Sequence, residues 1–153
     1  MLIKSLRGQV TVEYGLLLLA CVGLLAVVLS YVEGGLGHAE RAESALEAKS
    51  MAEQLADVLE KAAECDEGTT FKVYIRGRPG AGERRYSVSV EPPPPGSQDV
   101  YTVVVSGENA QGKARFFSSF GVSFDTSGVK VPGLVVVEVH EVKGRKVVVV
   151  RNA

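Results

Sequence analysis

Apolar residues follow three successive patterns along this chain, and each predicts a different kind of element. From Tyr14 to Val32 the sequence YGLLLLACVGLLAVVLSYV runs for nineteen residues without a charge. As a helix rising about 1.5 Å per residue, such a run crosses the roughly 30 Å of hydrocarbon in a bilayer. Gly34, Gly35 and Gly37 then interrupt the helical pattern, and a hinge or kink is expected there.

Helical spacing resumes over 38–64, HAERAESALEAKSMAEQLADVLEKAAE, a stretch of strong helix formers. Ala42, Ala45, Ala52, Leu55, Leu59 and Ala62 recur at steps of three, four or seven, with Met51 and Val58 broadening the stripe. Mostly small residues make up that stripe, which permits close approach to a sheet or to neighbouring helices. Glu43, Glu47, Glu53, Asp57 and Glu60 are expected on the opposite, solvated face.

After Gly68 the period falls to two. Six runs read as strands: FKVYIR from 71, YSVSV from 86, VYTVVVS from 100, ARFFSSFGVSF from 114, LVVVEV from 134 and KVVVV from 146. Turn chemistry separates them: GRPGAGERR, PPPPGSQD, GENAQGK, DTSG, VPG and KGR. Phe116, Phe117, Phe120 and Phe124 read as sheet core, and the prolines at 92–95 as a stiff extended loop. The fold class is therefore α+β. A long N-terminal helix, with a hydrophobic half, a glycine-rich kink and an amphipathic half, precedes a small antiparallel sheet or sandwich of about six strands.

Charge adds an orientation. The formal net charge of −1 is a cancellation, because residues 33–67 sum to −7 and residues 68–153 to +5. Lys4 and Arg7 precede the apolar run and acidic residues follow it, so the positive-inside rule keeps the N-terminus cytoplasmic and the bulk of the chain outside. The acidic helix carries more carboxylates than its own bases satisfy; the basic distal segment is a candidate neighbour, within or between subunits.

Signals for catalysis are absent. His38 and His140 lack metal-ligand spacing, and no HExxH, GxSxG or CxxC occurs, so a non-enzymatic protein without a cofactor or metal is expected. If Cys21 and Cys65 share one helical rod they stand about 66 Å apart, too far to pair within a chain. Arg76, Arg78, Arg84 and Arg85 surround the glycines of RGRPGAGERR, which reads as a solvated hairpin tip and as a candidate for binding an acidic surface or glycan. That loop lacks the Lys-Ser/Thr ending of a phosphate loop, and no nucleic-acid motif is present.

The segment before the apolar run, KSLRGQVTVEYGLLLL, sharpens the picture. A basic stretch ends at Gly8, and Glu13 stands at the edge of the hydrophobic helix. An unpaired charge costs about 2.5–3.5 kcal/mol at the bilayer centre and less near the interface, so Glu13 calls for a positive partner at its own depth. The pattern of Gln9, Thr11, Glu13 and Leu17 resembles the class III signal peptide of archaeal type IV pilins.

That resemblance implies scission between Gly8 and Gln9 by a prepilin peptidase that recognises a leader containing Lys4 and Arg7, leaving a mature chain of 145 residues. It implies four segments: 1–8 a cleaved leader, 9–33 a hydrophobic transmembrane and filament-core helix, 34–67 a glycine hinge and amphipathic helix, and 68–153 a β-rich head. It also implies that Glu13 pairs with the new α-amino group at Gln9 of a neighbouring subunit and fixes filament register. Its partners would be the peptidase, a pilus assembly ATPase, a membrane platform protein and copies of the chain itself. The precursor would sit in the cytoplasmic membrane and the product in an extracellular surface filament. A minor pilin or pseudopilin made in the same way, and a single-pass anchored extracellular binding domain, are the alternative readings.

Overall fold

The computed structural model describes residues 2–79, 84–96, 99–119 and 121–153, with side chains from Val12 onward. Two compact units make up the chain, Met1–Glu40 and Arg41–Ala153. Helix α1, Leu2–Glu64, contributes to both. No proline occurs before Pro79, so nothing in this stretch removes a helical N–H.

Gly34, Gly35 and Gly37, where a hinge or kink is expected, lie inside the helix and do not end it. Each weakens a helix by about 1 kcal/mol relative to alanine, which strong formers on both sides tolerate. Termination at a glycine needs a left-handed backbone, and none of the three has a positive φ. The helix stops instead beyond Glu64. There Gly68 adopts a φ of 82°, and its N–H donates to the Val139 carbonyl at 2.9 Å.

Among the described residues the second unit holds eight strands, where the alternation predicts about six. They are β1 Thr70–Ile75, β2 Tyr86–Glu91, β3 Val100–Ser106, β4 Gln111–Phe117, β5 Ser123–Asp125, β6 Lys130–Val131, β7 Gly133–Val142 and β8 Arg145–Asn152. One sheet has the order β1-β7-β8-β5 and the other β4-β3-β2-β6. All pairings are antiparallel except that of β5 with β8, which is parallel.

The extra strands arise where a run that looks continuous changes sheets. The stretch from Ala114 to Phe124 is such a case: β4 ends at Phe117, Gly121 turns the chain with a φ of 94°, and β5 joins the opposite sheet. Pro132 and Gly133 make a second crossing, from β6 to β7. Between β7 and β8 a two-residue turn places Lys143 and Gly144 at φ 53° and 75°, the twist that suits a tight hairpin.

One core joins the layers. From α1 it takes Ala48, Met51, Ala52, Leu55, Ala56, Leu59, Ala62 and Ala63, and from the sheets chiefly the inward valines of β3, β7 and β8. The small-residue stripe therefore does pack on a sheet, but from Ala48 onward: Ala42 is exposed and Ala45 half-buried. Its closest approach is at Gly112, where a Cβ would lie 2.2 Å from the Ala48 carbonyl carbon and from the Lys49 nitrogen. Tyr101, Phe116 and Phe124 form an aromatic cluster with centroids 5.0–5.6 Å apart. Phe117 departs from the expected core, since it faces outward on β4 and is 65% exposed, and Phe120 lies outside the described residues.

Candidate functional site

Two features carry the candidate chemistry, and they belong to different units. In the first, Met1–Glu40, every large apolar side chain from Val12 to Val32 is 49–85% exposed. Such surface is stable only in lipid or against other apolar surfaces. Ser30 satisfies its hydroxyl within the helix by donating to the Ala26 carbonyl at 3.0 Å, as a hydrocarbon environment requires. Ala20 and Cys21 are the small residues in a shallow apolar groove of about 370 Å3 that Leu17, Leu24, Leu25 and Val28 complete. Cys21 and Cys65 are both free thiols.

Glu13 is exposed at the entrance to this run. The Gly8–Gln9 bond lies in helical backbone, whereas the side chains of residues 1–11, including Lys4, Arg7 and Gln9, lie outside the described residues. The long apolar helix followed by a β-sheet head is a pilin-like architecture.

In the second unit the arginine loop is docked on α1 rather than held away from it. Gln54 clamps the backbone of Arg76 from both sides, its Oε1 accepting from the Arg76 N–H at 3.0 Å and its Nε2 donating to the Arg76 carbonyl at 3.1 Å. The Arg78 guanidinium stands 3.4 Å from the Glu43 carboxylate, and Arg84 donates to the Ser44 hydroxyl at 2.6 Å. All four arginines are exposed, and residues 80–83 between them lie outside the described residues. Part of the basic neighbour that the acidic helix calls for is thus supplied by the same chain.

Glu47 is the main correction to the helical wheel. Placed by spacing on the solvated face, it is only 5% exposed. Its Oε1 accepts from the Arg78 N–H and its Oε2 from the Tyr86 hydroxyl, both at 3.0 Å. Gly77 leaves the room: a Cβ there would meet Glu47 Oε1 and Pro132 at 3.0 Å. Tyr86 is itself 2% exposed, and its ring lies against Gly107. Burial, and then the hydrogen bond to Glu47, push the Tyr86 hydroxyl above its ordinary pKa. A cavity of about 230 Å3 opens beside this contact, between Leu46, Ser50 and Gln54 of α1 and the backbone of Arg76–Gly77.

The helix end is held by a group that strand spacing does not single out. Lys146 of β8 donates to the carbonyls of Ala63 at 3.0 Å and Cys65 at 2.9 Å. A cation there answers both the unpaired carbonyls and the negative end of the helix dipole. Of the histidines, His38 lies inside α1 rather than at a helix entry, and His140 lies on β7. His140 contacts Glu138 at 3.1 Å, and Glu138 also pairs with Arg151. Hydrogen bonds from His140 and then Arg151 hold the Glu138 carboxyl below its ordinary value, against an opposing effect of burial.

No family model, curated protein or solved structure matches this chain.

Proposed function

We propose that this chain is the structural subunit of a type IV pilus-like surface filament. It would be inserted as a membrane precursor, cut between Gly8 and Gln9, and assembled with copies of itself through α1. One observation carries the reading: the same helix presents an exposed apolar span in one unit and a tightly packed small-residue face in the other. An exposed span serves as a lipid-crossing segment before assembly and as a helix-packing surface after it. The Gln9-Thr11-Glu13-Leu17 pattern immediately before the span supports processing on its cytoplasmic side. After scission the new α-amino group at Gln9 is a positive partner for Glu13 of a neighbouring copy, and in an apolar filament core an unpaired charge strongly penalises wrong register.

Intact-mass measurement of the chain purified from cells with a prepilin peptidase tests this. Loss of residues 1–8 is the expected result. A mature protein that keeps Lys4 and Arg7 would overturn the filament reading in favour of a permanent single-pass anchor.

A further inference from the structure

The unit Arg41–Ala153 is formally neutral, yet one group of its acids and one pair of its bases stand on different elements. On α1, Glu53, Asp57, Glu60 and Glu64 recur at steps of three and four on the side away from the core. The one ion pair made by these four among the described residues is a loose contact of Glu53 with Lys49, at 3.9 Å and with both side chains 61% exposed. At the β7–β8 turn, Lys143 and Arg145 flank Gly144; both are exposed, and neither makes an ion pair or side-chain hydrogen bond among the described residues. An exposed apolar side chain accompanies each surface. Val142 is 53% exposed beside the turn, and Leu46, two helical turns before Glu53, is 63% exposed.

We infer that the acidic face of α1 in one copy receives the β7–β8 turn of a second copy, with Lys143 and Arg145 set against Glu53, Asp57 and Glu60. This rests on the filament reading and adds to it the contact that selects which faces meet. Charge complementarity carries the assignment: among the described residues one face holds carboxylates whose one ion pair is the loose Glu53–Lys49 contact and the other holds two cations without an ion pair, on a unit with no net charge to oppose its own association. Spacing agrees, because successive carboxylates one turn apart are about 6 Å from each other, a separation that two cations on either side of a single glycine can match. The two surfaces are different patches of one chain, so the contact is heterologous. Contacts of that kind build open helical assemblies wherever the rotation between successive copies does not close into a ring, as the filament reading requires. Exposed ion pairs are individually weak and screened by salt, so this contact sets approach and register while the apolar helices hold the copies together.

The test uses the full chain assembled from an equal mixture of nitrogen-14 and nitrogen-15 copies, treated with a zero-length carbodiimide cross-linker and mapped by mass spectrometry. The expected product is an inter-copy bond between the Lys143 amine and the carboxyl of Glu53, Asp57 or Glu60, with a yield falling about tenfold between 50 and 500 mM salt. Lys143→Asp with Arg145→Glu, and separately Glu53→Lys with Asp57→Lys, each lower the assembled fraction about tenfold, and all four together restore it to within about twofold. Asp is chosen at 143 because it tolerates the left-handed backbone there. Inter-copy bonds that avoid Lys143, or a fourfold variant that stays unassembled, remove this contact and leave the filament reading standing. No inter-copy bond at any salt likewise removes this contact, whereas a mature chain that keeps residues 1–8 overturns the filament reading on which it rests.

Discussion

Substituting alanine at Gly112 tests how closely the helix and sheet of the second unit are joined. The new Cβ would sit 2.2 Å from the carbonyl carbon of Ala48 and the nitrogen of Lys49, and 2.4 Å from the Ala48 carbonyl oxygen. Carbon atoms in contact prefer about 3.5–4.0 Å, so α1 and β4 must separate locally by roughly 1.3 Å. The obstacle is helix backbone and not the flexible end of a side chain, so no rotamer change relieves it. Overpacking of this kind costs about 1–3 kcal/mol, and a rigid helix that must carry its buried Met51 and Leu55 away from the sheet places the expected loss near the upper end, about 3 kcal/mol. For a unit of this size that lowers Tm by roughly 10 °C or more. Urea and thermal unfolding of the full chain in mild detergent, followed by near-ultraviolet circular dichroism, would measure it. Combining the change with Ala48→Gly is expected to restore nothing, because the clash is with the backbone of residue 48. A fall in Tm below about 3 °C, or rescue by Ala48→Gly, would refute the backbone contact.

Other substitutions probe the remaining joints. Lys146→Met keeps the aliphatic stem but removes the donor to Ala63 and Cys65, and is expected to cost about 1–2 kcal/mol in urea unfolding; a change under about 0.3 kcal/mol would show that the helix end needs no cation. Glu47→Gln costs about 1 kcal/mol and lowers the Tyr86 pKa toward its ordinary value, seen as an earlier last step in the tyrosinate absorbance titration; an unshifted titration argues against the Glu47 hydrogen bond. Because folding raises the Tyr86 pKa, its contribution to stability is fully present below about pH 10 and is lost as pH rises through the folded value. Glu13→Gln is expected to leave membrane insertion intact and to impair filament assembly, scored by flotation and electron microscopy; normal filaments would remove Glu13 from the register role.

Much of the chain's plan is written in residue order. An uncharged run of nineteen residues can be stable only in lipid or against apolar partners, whatever the rest of the chain does. The change of period after Gly68 likewise marks where helix gives way to sheet, since side-chain direction repeats every 3.6 residues in one and every two in the other. The candidate processing residues Gly8, Gln9 and Glu13 are legible for a related reason: they form a local pattern at the edge of the run and need no tertiary contact to be seen.

What sequence spacing missed depends on residues far apart in the chain. Glu47 has the spacing of a solvated residue, and is buried because Tyr86, Arg78 and Gly77 come together around it across 30 to 39 residues. Gly112 reads as part of a turn, yet it belongs to a strand that must let a helix backbone through. Lys146 reads as an ordinary strand residue until the end of α1, more than 80 residues earlier, is brought beside it. The membrane-length helix, the helix-to-sheet order and the charge segregation can be read from residue order alone, because each follows from local periodicity and composition. Strand order, the sheet crossings and the burial of particular polar groups come from the folded packing, because they depend on which distant surfaces exclude water from one another.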